Sequence, residues 1–440
     1  MDLGRMASAL REKRFFCDLR FTATRSLSAG IKDGEPELRE GRESGLSVRA
    51  FINGSWGFAA GTPGDFEALL ARAQRLASAS KGNSRYPPVG DSVQYSEEPD
   101  APAPDSGYLL SSCRELHSAM EAGPIRNRQL RLSENHTSRA YANSAGALIE
   151  DTSSILYARF TCIGKDGNAM REGHHSWGSR NSWDMAALLH SAEEAKRKCL
   201  DSLSASAPPH GTYTVILDNE MAGVFAHEAV GHACEGDAIM EGTSILAGKK
   251  GMRIGSPLVS IWDRPELEGA FGSYSFDDEG MQGRPVELIH GGELHGFMHS
   301  AESAETLGEQ PNGHARAESF SVPPIVRMSN TYMEAGNHSL EELMEVQEGI
   351  YLKGMNGGSV DTITGQYMFR SEEAFRISKG EQAERIRDLS ITGTIIGTLK
   401  EVDAVGRDLK LKPGFCGKNG QTMNVSDGGP HIRVRSMKVG

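Results

Sequence analysis

Residues 211–237, GTYTVILDNEMAGVFAHEAVGHACEGD, divide the chain into two kinds of sequence. The first seven residues are apolar and largely β-branched, the pattern of a buried strand. Asp218-Asn219 is a helix start, and an amphipathic helix runs on from there. Before this strand-to-helix step the chain alternates strands and helices. After it, from about residue 250, short strands are punctuated by glycine, and the longest helical pattern covers only about 339–347.

Upstream, residues 1–16 read as a short amphipathic helix without the apolar run of a secretory signal. Residues 17–60 read as a strand meander with an Asn53-Gly54 turn. A helix follows over 65–79, with Asp65 as N-cap and Phe66, Leu69, Leu70, Ala73 and Leu76 on one face. Residues 81–107 are rich in Ser, Pro, Gly and Asp and read as an exposed connection. From Tyr108 the order returns: a helix over 108–121, strands from about 124 to 170, and a helix over about 184–200. Ser55-Trp56-Gly57 is echoed by Ser176-Trp177-Gly178, and Asp65, Ala68, Leu69, Leu70 and Ala73 by Asp184, Ala187, Leu188, Leu189 and Ala192.

The expected fold class is α+β. An N-terminal α/β domain (1–210) carries an internal duplication, with halves at about 1–80 and 108–205 and a linker at 81–107. A mostly β domain (211–440) follows, closed or sandwiched so that its many strands hide their edges. The helix after residue 218 stands at the junction.

The 440 residues carry a net charge of −12, concentrated in 201–440, where 34 acidic groups face 21 basic ones. Such a half repels nucleic-acid backbones, so no nucleic-acid partner is expected. No run approaches the roughly 18 apolar residues of a membrane span. Six cysteines without pairing rhythm point to reduced thiols and a cytoplasmic protein.

The chemistry sits in His227-Glu228-Ala229-Val230-Gly231-His232. This resembles the zincin motif HExxH, in which two His one turn apart bind Zn²⁺ and the Glu handles a water proton. Here the spacing is HExxxH. On a regular helix, residues five apart diverge by roughly 140°. For both imidazoles to face one ion, the helix must widen into an i→i+5 turn or break near Gly231. Glycine lowers the steric cost of such a distortion. A distorted turn across 227–232 is therefore expected. A third ligand is required if one position stays open. Cys234, roughly 200° from His232, reads as a packed thiol. Cys416, in PGFCGKNGQ (413–421), is the better candidate, because its flanking glycines let the backbone turn sharply and expose the sulfur. Taken alone, it also reads as a buried loop cysteine.

Several phrases occur in order: HExxxH followed by EGD, GSYSFDDEG (272–280), RMSNTY (327–332), KGMNGGSVD (353–361) and GFCGKNGQ (414–421). With them, nearly the whole chain resembles the TldD side of the TldD/TldE (PmbA) metalloprotease family. The resemblance implies Zn²⁺ held by His227, His232 and Cys416, with Glu228 as the acid/base acting on a metal-activated water. It implies an unstructured peptide substrate and a TldE/PmbA-like paralogous subunit as partner, a homodimer being the alternative. Where the family usually has an aliphatic residue before EGD, this chain has Cys234.

Candidates to hold His227 or His232 in the metal-binding tautomer are Glu235, Asp237, Asp277 and Asp278, although Asp277-Asp278-Glu279 also reads as a solvated turn. His299, His314 and Asn330 are candidates to stabilise an oxyanion. The expected function is zinc-dependent hydrolysis of peptide bonds in unfolded polypeptides. The rival readings are another metal-dependent amide hydrolase acting on a small peptide, for which Fe²⁺ would also serve, and a non-catalytic peptide-binding subunit.

Overall fold

The computed structural model describes residues 2–82, 84, 93–96, 106–167 and 169–440. Helix α1 (Leu3–Arg11) precedes strands β1 (Phe16–Lys32), β2 (Glu35–Ile52) and β3 (Ser55–Gly61) and helix α2 (Phe66–Ala79). After a short strand, β4 (Gln94–Ser96), helix α3 (Ser106–Ala119) precedes β5 (Ile125–Asn143), β6 (Leu148–Asp166), β7 (Ala169–Ser179) and helix α4 (Met185–Ser202). Each half is thus a helix, a three-stranded meander and a helix. Most of the expected exposed connection at 81–107 lies outside the described residues, and β4 within it pairs parallel with Leu148–Glu150.

The two meanders join into one sheet because β1 pairs antiparallel with β5, from Asp18↔Asn143 to Ile31↔Leu130. Asp33-Gly34 and Asn53-Gly54 turn the first meander with positive φ at both residues, the geometry that matches the twist of a hairpin. Each half has its own apolar core. The first gathers Leu10, Leu19, Leu46, Val48, Leu70 and Ala73, and the second gathers Leu109, Leu116, Leu132, Phe160, Leu188 and Ala195. One expected core residue of α2 is misplaced: Leu76 is 44% exposed, and Ala77 is buried in its stead. Position 77 comes back to within about 20° of the angle of Phe66 after eleven residues, whereas position 76 stands about 80° short of it.

The C-terminal part contains a closed ring and an open sheet. Strands Glu348–Asp361, Gly211–Leu217, Ile432–Val439, Ser390–Thr394 and Gln366–Ser378 pair in that order, and the last pairs with the first. Closure removes their edges. The open sheet runs Glu293–Leu294, Val286–His290, Ile261–Asp263, Asn330–Met333, Gln421–Gly429, Lys410–Lys418. The helix that follows residue 218 lies between ring and sheet, and its Ala222, Phe225, Ala226, Ala229 and Val230 share one buried cluster with Val215, Phe369, Val326 and Val425.

Charged groups tie the two parts together. Arg49 grips Asp18 and reaches Glu279 (3.0 Å), and Arg139 holds Asp151 and reaches Asp278 (3.3 Å). Asp277-Asp278-Glu279 is therefore no solvated turn; it is buried against arginines of the N-terminal sheet. A second tie joins α4 to Gln366–Ser378: Arg197 donates to Glu373 (2.9 Å), and Arg385 also pairs with it. Burial alone would raise the Glu373 carboxyl, but the two guanidinium groups bring it down to about 2. A carboxyl depressed in the folded state stabilises above its unfolded pKa of about 4.3, and that stabilisation is lost as pH falls toward the folded value. Glu373→Gln should therefore cost on the order of 2–3 kcal/mol at pH 7, and the gap from the parent protein should close between about pH 4 and pH 2. Chemical denaturation of both proteins across that range checks it.

Candidate metal centre

Strand β8 (Gly211–Leu217) ends at Asp218, whose carboxylate accepts from Met221 N (2.9 Å) and Gly354 N (3.1 Å). This capped start opens helix α5 (Asn219–Val224), which passes directly into a π-helix over Phe225–Gly231. The His232 N–H donates to the His227 carbonyl, an i→i+5 bond. It brings the two imidazoles to a 5.4 Å centroid separation at 88°. The widened turn that the spacing requires is present. The role of Gly231 differs from the expectation. Its φ of −56° and ψ of −56° suit any residue, but a Cβ there would lie 2.1 Å from Met328 Sδ. Packing, not backbone freedom, favours glycine, since any side chain there would have to displace Met328.

Cys416 also sits differently from the sequence reading. It is not on a glycine-made turn and its sulfur is not exposed. It lies in strand Lys410–Lys418, paired with Met423 of Gln421–Gly429, and is 3% exposed. The chain reverses three residues later, at Asn419-Gly420, where φ is 49° and 75°. The strand alternation sends Lys412, Cys416 and Lys418 toward the helix. Phe415 points the other way, onto Tyr157 (4.9 Å) and Phe271 (5.5 Å). The helix can lie directly on this hairpin because Gly223 meets Gly428: a Cβ on Gly223 would stand 2.5 Å from Gly428 Cα.

The result is a compact donor set. One nitrogen each of His227 and His232 and the Cys416 sulfur all lie within 4.8 Å of one another, and Cys416 Sγ is 3.4 Å from His232 Nε2. Burial alone would raise the Cys416 thiol, but the two imidazoles outweigh it and bring it down to about 5. Burial opposes charge on His227, yet the Cys416 contact lifts it to about 9. His227 Nδ1 is buried with no hydrogen-bond partner. Two imidazoles and a thiol that converge in this way fit a transition metal such as Zn²⁺. Glu228 reaches His232 Nε2 at 3.8 Å while its side chain stays 37% exposed.

The other sequence candidates go to different places. Glu235 Oε2 accepts from His232 Nδ1 (2.9 Å). Asp237 pairs with Lys418 (2.7 Å) and touches neither His. Asp277 accepts from the backbone N–H groups of Glu279, Met281 and Ala315, and Asp278 from Ala317 N and Arg139, so neither orients an imidazole of the cluster. His314 is tied to Asp263 (3.1 Å) and Asn312 (2.8 Å), His299 to Ser303 (3.1 Å), and Asn330 to Arg264 O, Ser273 Oγ and Gly272 N. His314 and Asn330 are engaged in structural bonds, while His299 Nε2 is buried without a hydrogen bond and faces Glu309 at 3.4 Å. Cys234 is wholly buried, and burial pushes its thiol up. Two residues escaped the sequence reading. Arg327, fully buried, donates to the carbonyls of Cys416 (2.6 Å) and Gln421 (3.2 Å) and so clamps the hairpin. Lys418 lies two residues beyond Cys416, the spacing that puts it on the same strand face.

The C-terminal domain model of the PmbA/TldA metallopeptidases matches residues 210–440, the central domain 99–203 and domain 1 17–80. The chain belongs to the PmbA/TldD metallopeptidase family. A metalloprotease of Methanothermobacter thermautotrophicus is 38% identical over 450 residues, covering 100% of this chain and 98% of the relative. The zinc metalloprotease TldD homolog of Saccharolobus solfataricus is 30% identical, covering 97% and 96%. Among solved structures, the fold is shared with TldE of Thermococcus kodakarensis (TM-score 0.78, 18% identity, 100% and 99% coverage). It is also shared with a Thermotoga maritima protein described as a modulator of a DNA gyrase (TM-score 0.82, 18% identity, 100% and 99% coverage).

In this PmbA/TldD member the Gly223–Gly428 contact sets the distance between helix and hairpin. Gly223→Ala should lower stability by about 1–3 kcal/mol through overpacking and reduce metal retention, because the helix must lift from the Cys416 hairpin. Urea denaturation and metal content of the purified variant check both effects.

Proposed function

We propose that the chain is a zinc-dependent peptidase acting on unfolded or unstructured polypeptides, with His227, His232 and Cys416 as metal ligands and Glu228 as the acid/base. The observation that carries this reading is the convergence of the two imidazoles and the thiol within 4.8 Å beside a half-exposed carboxylate. Zn²⁺ held there would act as a Lewis acid and bring the pKa of a water toward about 7.

The protein's own groups divide the remaining work. His227 and Cys416 are buried, which keeps bulk water from the donor atoms. Glu235 holds His232 through Nδ1, leaving Nε2 for the cluster. Glu228 is the one carboxylate of the motif that is exposed toward solvent and still near the cluster. That position suits a group which takes a proton from water and returns it to a leaving amine. The Cys416 strand is the edge of the open sheet. Among the described residues no strand pairs with its outer side, so an extended peptide can add there through main-chain hydrogen bonds. A folded protein offers no such free backbone, which accounts for a preference for unstructured chains.

Two further parts of the reading have indirect support. The likeness to a TldE fold supports a paralogous partner subunit, with a homodimer as the other arrangement. The six cysteines are all free and buried, which supports a reducing compartment such as the cytoplasm. No helix among the described residues is long and apolar enough to cross a membrane.

Metal analysis together with cleavage of an unfolded protein tests the proposal. The parent protein should carry about one Zn²⁺ per chain, and Cys416→Ala should lose most of it. Glu228→Ala should keep the metal and lose about 10²- to 10⁴-fold in cleavage rate. A parent protein without stoichiometric metal, and with activity indifferent to Glu228→Ala, would overturn the reading. Cleavage confined to short peptides would shift it to a small-substrate amide hydrolase.

A further inference from the structure

The strand that supplies Cys416 supplies a second group on the same face. Lys418 is only 15% exposed at its side chain, and its ammonium meets Glu235 Oε2 (3.1 Å), the Asp237 carboxylate (2.7 and 2.8 Å) and Val326 O (3.0 Å). An ammonium has three donors, so Lys418 is fully engaged. The Glu235 oxygen that it meets is the one that accepts from His232 Nδ1 at 2.9 Å. The other Glu235 oxygen is buried and without a partner. Glu235 itself is 2% exposed, and its backbone is pinned on both sides: Met298 N donates to Cys234 O (3.0 Å), and Gly236 N donates to Met298 O (2.7 Å).

A carboxylate this deeply buried is held in one orientation by the partners that satisfy it. Its two partners here are His232 and Lys418. We infer that Lys418 is a positioning residue: its contact with Glu235 Oε2 holds that oxygen in place as the acceptor that fixes the ring orientation and tautomer of His232. This rests on the metal-site reading above. One hairpin thereby sets two of the three donors, Cys416 directly and His232 through the Lys418–Glu235 contact. The bond to Asp237 is a separate tie, joining the same ammonium to the helix Gly236–Met240 without touching an imidazole.

The test measures the Zn²⁺ affinity of the full-length protein by competition with a chromophoric chelator, and the ligand-field spectrum of the Co²⁺-loaded protein. Lys418→Met and Glu235→Gln should each weaken Zn²⁺ binding by about 10- to 100-fold, the usual range for partners of metal-bound His. The double variant should bind no more weakly than the weaker single one, since both break one chain of contacts. Lys418→Arg should recover most of the affinity and the parent Co²⁺ spectrum. Asp237→Asn should change affinity by less than about threefold, as a tie outside that chain. The inference fails if Lys418→Met binds Zn²⁺ like the parent protein, if the two single losses multiply in the double variant, or if Asp237→Asn loses as much as Lys418→Met. If Lys418→Met does not fold, Lys418→Gln and the Co²⁺ spectrum of Glu235→Gln carry the same comparison. A parent protein that takes up no Zn²⁺ overturns the metal-site reading itself; a parent that binds it beside an unchanged Lys418→Met overturns only the role of Lys418.

Discussion

One backbone hydrogen bond, from His232 N–H to the His227 carbonyl, governs the rest of the site. With an ordinary i→i+4 ladder the two imidazoles would diverge by roughly 140°. The i→i+5 closure turns them toward each other without ending the helix. Residues on both sides of the distortion keep their apolar faces in the core, so Phe225, Ala226, Ala229 and Val230 remain packed while the ligand geometry changes. The irregular turn is supported by tertiary packing: Met328 fills the space left by the absent side chain of Gly231.

The third donor comes from nearly two hundred residues away, and its placement depends on how closely helix and hairpin approach. Gly223 against Gly428 removes the two side chains that would hold them apart. Arg327 then fixes the hairpin by donating to the Cys416 and Gln421 carbonyls from a fully buried position. The opposite face of the same strand rests on Tyr157 through Phe415. The N-terminal sheet thus packs behind the ligand strand, and the domain contacts at Arg49, Arg139 and Glu373 hold it there. A chain of ordinary packing constraints converges on three donor atoms.

Electrostatics divides between two regions with different tasks. At the domain interface, arginines neutralise buried carboxylates in well-formed pairs, and removing one partner strands the other. At the donor set, two imidazoles and a thiol stand together, with Glu235 on His232 Nδ1 and Lys418 on Glu235. The interface is a matter of docking. The donor set is a matter of presenting lone pairs in one direction.

The sequence by itself determined the local elements. The apolar run at 211–217, the Asp218 cap, the repeated helix–meander–helix order and the Asn53-Gly54 turn follow from near-neighbour sterics and periodicity, which act within a few residues. The five-residue spacing of His227 and His232 even required a widened turn, because helix geometry is local. What lay beyond reach depended on partners distant in the chain. Cys416 looked like a loop thiol because its glycines suggest turns, yet Gly414 and Gly417 lie in a strand and only Asn419-Gly420 reverses it. Asp277 and Asp278 looked free because their partners, Arg20 and Arg139 and the backbone at 315–317, are remote in sequence. Lys418 and Arg327 acquire meaning only when the hairpin is laid against the helix. Burial and convergence belong to the tertiary structure, because a charge or a thiol takes its character from whatever packs around it.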